Sequence, residues 1–140
     1  MKKMEIDKRK QGKKNRQSGA RFELKVRKSL ESKGWIVSKW MNTVDLEKDK
    51  LIQAKHKFCG FGRPMAIGTG MPDFVAFSPA NSVRPKIMGV ESKSNGYLDK
   101  LEKQKCKWLL DNQIFSKILI AKKGKKRGEI EYVEFKEKEI

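Results

Sequence analysis

The chain has 140 residues, with 34 Lys and Arg against 17 Asp and Glu, for a net charge of +17. The length fits one compact domain, no run approaches the 18 or so apolar residues of a membrane span, and the Lys-rich start lacks the apolar stretch of a secretory signal. Two cysteines, Cys59 and Cys106, and one histidine, His56, exclude a disulfide framework, a four-Cys zinc site and any chemistry that needs a histidine pair. The expectation is a cytoplasmic domain with no membrane role, because no basic amphipathic anchor helix is present; its default partner is nucleic acid.

Residues 1–17 carry eight Lys or Arg and two acids with little apolar content, which predicts a flexible basic arm ahead of a single domain over 18–140. Such an arm either wraps phosphate backbone or serves as a solubilising tail. Ser18 is a good N-cap, and Phe22, Val26 and Leu30 make one helical stripe that should end at Gly34. Glu23 borders that stripe. Trp35–Met41 reads as a strand. Residues 42–67 read as an extended excursion with a short helix or strand near Leu51–Ala54. Asp73–Phe77 and Lys86–Lys93 read as two strands of an antiparallel hairpin. A second helix should run from Leu98 to Asn112, with Tyr97, Leu101, Gln104 and Trp108 on its stripe. The β-branched run Ile114–Ala121 predicts a central strand, and Ile130–Phe135 a closing hairpin partner beyond the KKGKKR turn. This order gives an α/β or α+β sandwich around a mixed sheet.

The chemistry concentrates where the two hairpin strands meet. Pro72-Asp73 opens one, and Glu91-Ser92-Lys93 ends the next. On a strand Glu91 and Lys93 share a face, roughly 7 Å apart by the strand rise. Antiparallel pairing brings the start of one strand beside the end of the other, so Asp73 and Glu91 converge. Two carboxylates held together repel, and a hard, oxygen-ligated cation such as Mg²⁺ with its waters relieves that repulsion. Lys93 would then stand beside a metal-bound water and a phosphate. Glu-x-Lys alone says little, since it occurs four times in a chain with 27 Lys. The strand end, the Pro-Asp one hairpin earlier and the helix that follows distinguish position 91. The competing reading is a solvated strand end with an ion pair.

The ordered set resembles the PD-(D/E)XK nuclease superfamily, and within it the archaeal Holliday junction resolvases. Gly19-Ala20-Arg21-Phe22-Glu23 is similar to their first-helix start, Leu30–Lys39 to their helix end and first strand, Gly70–Ala76 to their aspartate strand and Val90–Ser94 to their Glu-x-Lys strand. Gln104 with Leu109 and Leu110 resembles the second helix, and Ile118–Lys122 the strand after it. The resemblance covers about residues 18–42 and 68–123. It implies a restriction-endonuclease-like αβββαβ core with a mixed central sheet flanked by helices. It also implies a Mg²⁺-dependent DNA endonuclease (Mn²⁺ substituting) that acts on branched or junction DNA as a homodimer, in recombination and repair. Its metal ligands would be Asp73, Glu91 and the Ser92 carbonyl, with Glu23 reaching the metal directly or through water. Lys93 would be the catalytic lysine, and Gln104 would help place the site or the substrate strand. The link over 42–69 is longer than in the resolvases, which bears on substrate choice. The viral-type replication–repair nucleases share the Pro-Asp, Glu-x-Lys, Gln order and are a second resemblance, which leaves flap, duplex or RNA substrates open.

For nucleic-acid contact the candidates are Lys13, Lys14, Arg16 and Arg21 near the first helix, and Lys122, Lys123, Lys125, Lys126 and Arg127 at the basic turn. His56 reads as solvent-facing, and Trp35, Trp40 and Trp108 as packing residues. Gly60-Phe61-Gly62 and Gly68-Thr69-Gly70 lack the Lys-[Ser/Thr] that completes a phosphate loop. Two other functional classes stay open: a non-catalytic basic nucleic-acid-binding module on the same fold, and an RNA-directed nuclease.

Overall fold

The computed structural model describes residues 8–54, 56–58, 64–67, 70–79 and 83–137, with the backbone alone for 8–10, 56–58 and 64–67. In chain order the elements are α1 (Lys8–Ser32), β1 (Ile36–Lys39), β2 (Asn42–Asp45), β3 (Lys50–Gln53), β4 (His56–Phe58), β5 (Pro64–Ile67), β6 (Phe74–Phe77), β7 (Ile87–Ser92), α2 (Lys100–Asp111), β8 (Lys117–Lys123) and β9 (Ile130–Glu134). The fold is mixed α/β. A five-stranded sheet runs β1-β6-β7-β8-β9, with β7 and β8 parallel and the other neighbours antiparallel. Parallel neighbours need a crossover, and α2 supplies it.

Along β6 and β8 the side chains alternate between two cores. On one face Phe22, Val26 and Leu30 of α1 pack against Val37, Phe74, Ala76, Met88, Val90 and Ala121. On the other, Cys106 and Leu109 of α2 pack against Val75, Ile118 and Ile120, with Phe115 and Met71. The three layers therefore place one helix on each side of the sheet. No helix among the described residues is long and apolar enough to cross a membrane.

α1 ends as its glycine predicts. Gly34 has φ +93°, its N–H donates to the Glu31 carbonyl (3.0 Å), and the Trp35 N–H donates to the Leu30 carbonyl (3.2 Å). That pair of bonds satisfies carbonyls the helix leaves open. Its start differs from the expectation of a flexible arm capped at Ser18. The helix already runs from Lys8, and Ser18 lies inside it. Lys, Arg and Gln are good helix formers, so extending a helix already nucleated by the packed segment 22–30 costs little per residue. Residues 1–7 of the expected arm lie outside the described residues.

α2 also corrects the reading. The expected stripe through Tyr97, Leu101, Gln104 and Trp108 is not its core face, since Tyr97 is 78% and Leu101 53% exposed. The inward side carries Glu102, Cys106 and Leu109, one position round the helix. Trp108 lies alongside and gives its indole N–H to the Asp49 carboxylate. The apolar count misplaced the stripe because the inward face includes a glutamate. The excursion over 42–67 is two hairpins, β2–β3 and β4–β5, and the strand expected near Leu51–Ala54 is β3. The β2–β3 hairpin leans on α2, where Lys105 Nζ donates to Thr43 Oγ1 (3.1 Å).

Candidate active site

β6 and β7 pair with Phe74 opposite Val90. Continuing that register by one step sets Asp73 opposite Glu91. Asp73 is held from the other side by the residue that follows β1, where the Trp40 N–H donates to its carbonyl (3.0 Å). The turn that delivers it needs a glycine. A Cβ on Gly70 would collide with the Trp40 carbonyl oxygen and stand 2.8 Å from the backbone of Asn42. Backbone cannot yield as a flexible side chain does, so Gly70→Ala is expected to lower unfolding stability by about 1–3 kcal/mol, as read from urea denaturation midpoints.

Asp73 and Glu91 are 9% and 5% exposed, the buried charged side chains among the described residues. Asp73 Oδ2 accepts two hydrogen bonds from Ser92, from its N–H (2.8 Å) and its hydroxyl (2.6 Å). The Lys93 N–H donates to the Ala121 carbonyl (2.8 Å) on β8. Ser92 therefore turns its own backbone groups away from β8, towards the end of β6. Glu91 Oε2 is buried without any hydrogen-bond partner. Burial first, then the neighbouring Asp73 carboxyl, pushes the Glu91 carboxyl up to about 10, against the pull of Lys93. Without a cation, burial and the nearby Asp73 carboxyl oppose ionisation of Glu91.

This donor set fits a hard divalent cation. Two carboxylates converge, and one of their oxygens is desolvated and unpaired. Mg²⁺ is commonly held by one or two carboxylates with waters filling its shell. Among the described residues no three His, Cys, Asp or Glu side chains converge to hold a metal. The remaining positions would fall to water and a main-chain oxygen such as that of Ser92.

The other expected site residues divide. Glu23 sits half-buried on α1, its carboxyl raised by burial and by the Asp73 charge and lowered by Lys39. It borders the pair without making a three-carboxylate group. Lys93 projects from the end of β7 and its ammonium meets Glu102 Oε2 at 2.7 Å. Burial would lower the Lys93 ammonium, but the hydrogen bond and charge of Glu102, then Glu91 and Asp73, outweigh it and raise it. Gln104 is exposed on the outer side of α2, and none of the hydrogen bonds around the pair involves it.

Sequence reasoning missed Glu102 and Lys39. Glu102 had a readable signal: Asp99-x-x-Glu102 is a capping box, with the Glu102 N–H donating to Asp99 Oδ1 (2.7 Å) and the Asp99 N–H to Glu102 Oε1 (3.2 Å). No local pattern marks Lys39.

Lys13, Lys14, Arg16 and Arg21 are exposed on α1, as are Lys123, Lys125, Lys126 and Arg127 at the β8–β9 end. Lys122 is half-buried and pairs with Glu131 at 3.6 Å. The two basic segments meet at a cleft of about 370 Å³ whose lining includes Asn15, Ser18, Glu23, Ser92, Lys93 and Lys123. A larger cleft, about 490 Å³, lies at the other end of β7 around Ile87 and has no titratable side chain, so volume does not mark the site. The side chain of His56, and residues Gly60, Phe61, Gly62, Gly68 and Thr69, lie outside the described residues.

No protein-family model, no curated protein and no solved structure matches this chain.

Proposed function

We propose that the protein is a divalent-cation-dependent DNA endonuclease of the PD-(D/E)XK type, hydrolysing phosphodiester bonds with a preference for branched DNA. The observation that carries this reading is the buried cross-strand pair Asp73–Glu91, with an unpartnered Glu91 oxygen and with Lys93 on the same strand end. A structural ion pair would not leave that oxygen bare, and a simple binding surface has no use for two buried carboxylates in a chain of charge +17. The element order supports it too: a helix, an antiparallel β1-β6-β7 run, a crossover helix and a parallel β8 are what an αβββαβ core requires, with the β2–β5 hairpins as an insertion.

When bound, the cation would polarise a water and neutralise charge on the phosphate. The chain's own residues do the rest. Ser92 fixes Asp73 by two donors, so the free Asp73 oxygen keeps one direction. Lys93 supplies a positive charge where negative charge builds on the oxygens of the five-coordinate phosphorus. Glu23, at the rim, can take up a proton or orient a water. Lys123 and the exposed bases of α1 grip the phosphates on either side of the cleft.

A panel of labelled four-way junction, flap, duplex, single-stranded DNA and structured RNA, each with Mg²⁺, Mn²⁺ or EDTA, tests the reading. Cation-dependent cutting is expected, strongest on branched DNA. Tight binding with no cutting of any substrate would replace it with a binding module. The basic turn should contribute phosphate contacts. Replacing Lys125, Lys126 and Arg127 with glutamine is expected to weaken DNA binding at low salt and to reduce the slope of log affinity against log salt by about 2–3, measured by fluorescence anisotropy.

A further inference from the structure

We propose that Glu102 is a positioning residue that grips the Lys93 ammonium, keeps it off the Asp73–Glu91 pair, and so leaves that pair open to a divalent cation. The proposal rests on the cation-dependent reading above.

Lys93 follows Glu91 by two residues on one strand face, and each side chain feels the other's charge. A lysine so placed has an obvious wrong destination. Glu91 Oε2 is buried and has no partner, and an unsatisfied buried acceptor draws any donor within reach. Four flexible carbons let an ammonium swing. If it settled between the two carboxylates, it would occupy the place a cation needs.

The structure holds it elsewhere. The Lys93 backbone is fixed at both ends, its N–H donating to the Ala121 carbonyl and its own carbonyl accepting from the Gly96 N–H (2.8 Å each). Its ammonium is fixed by Glu102 Oε2 at 2.7 Å. Glu102 cannot swing either. Its other oxygen accepts from the Asp99 N–H, and its own N–H is taken by the Asp99 carboxylate. The capping box therefore aims one carboxylate oxygen at the lysine. With the Glu102 side chain only 18% exposed, solvent screens the contact weakly. A helix cap is thus also the clamp on the lysine beside the acidic pair.

The test reads Mn²⁺ binding to the full-length protein by calorimetry or electron paramagnetic resonance, at one neutral pH and without DNA. Glu102→Gln keeps a side-chain acceptor for the cap but drops the charge that holds Lys93. It is expected to weaken Mn²⁺ binding about tenfold. Adding Lys93→Ala to Glu102→Gln removes the competitor and should restore the affinity of Lys93→Ala alone. Asp99→Ala removes the carboxylate that takes the Glu102 N–H but keeps the residue-99 N–H that holds Glu102 Oε1, and so keeps the ion pair; it should lower the melting temperature and leave Mn²⁺ affinity within about twofold of wild type. Unchanged Mn²⁺ affinity in Glu102→Gln would overturn the proposal while leaving the cation site intact. So would a loss that persists undiminished once Lys93 is gone, since Glu102 would then act only as a nearby negative charge. A wild-type protein that binds no Mn²⁺ removes the cation site itself, and the role of Glu102 with it.

Discussion

Lys93→Ala is expected to lower the single-turnover rate of DNA cleavage by at least about a hundredfold, the cost of losing one preorganised charge at a transition state. DNA affinity, measured with Ca²⁺ in place of Mg²⁺, should change little, because the exposed bases of α1 and of the β8–β9 turn are untouched. The substitution leaves the cluster without its strand-borne cation, yet Glu102 keeps its cap bond to Asp99. The fold should therefore survive, which near-identical circular dichroism would show. A Lys93→Ala protein that cuts at the wild-type rate would remove the lysine from the mechanism.

Glu91→Gln has the second large effect, and it is opposite in sign for stability and for function. The Glu91 carboxyl is raised from its ordinary range to about 10, by burial first and by Asp73 next. An acid whose folded pKa lies above its unfolded value destabilises the fold once the unfolded chain would ionise it. That penalty begins near the unfolded value of 4.5, grows as pH rises, and levels off above about 10. At pH 7 it amounts to about 3 kcal/mol. Metal-free Glu91→Gln should therefore melt several degrees above wild type at pH 8, and the gap should narrow towards pH 5. Millimolar Mg²⁺ should stabilise wild type, since only the folded chain holds the pair together, and should leave Glu91→Gln unmoved. Thermal melts of both proteins across that pH range check every sign. A variant less stable than wild type at pH 8 without metal would mean that Glu91 is a satisfied structural side chain.

The two carboxylates were legible in the sequence because their convergence follows from period-two geometry: a hairpin that starts at Asp73 and ends at Glu91 has one antiparallel register that pairs them. The end of α1 was legible for a similar reason, since Gly34 takes a backbone conformation that other residues resist. What the sequence hid were features decided by tertiary contact. The start of α1 depended on a packed segment downstream lending its helix to a basic stretch that alone reads as disordered. The inward face of α2 was hidden because it carries Glu102, and an apolar stripe drawn through Leu101 pointed to solvent. Gln104, chosen by resemblance, sits on that outer side, whereas the helix residue that meets Lys93 is Glu102. The charge of Lys39 acts on Glu23 because β1 folds back along α1.

The most direct test compares wild type and Asp73→Asn on a labelled four-way junction with Mn²⁺, with an EDTA arm for each. Asp73→Asn keeps an acceptor for Ser92 but loses the charge opposite Glu91. Wild type should cut the junction with Mn²⁺ and not with EDTA, while Asp73→Asn binds the junction and leaves it whole. Cutting that survives EDTA, or that Asp73→Asn performs at the wild-type rate, would contradict a cation held between Asp73 and Glu91.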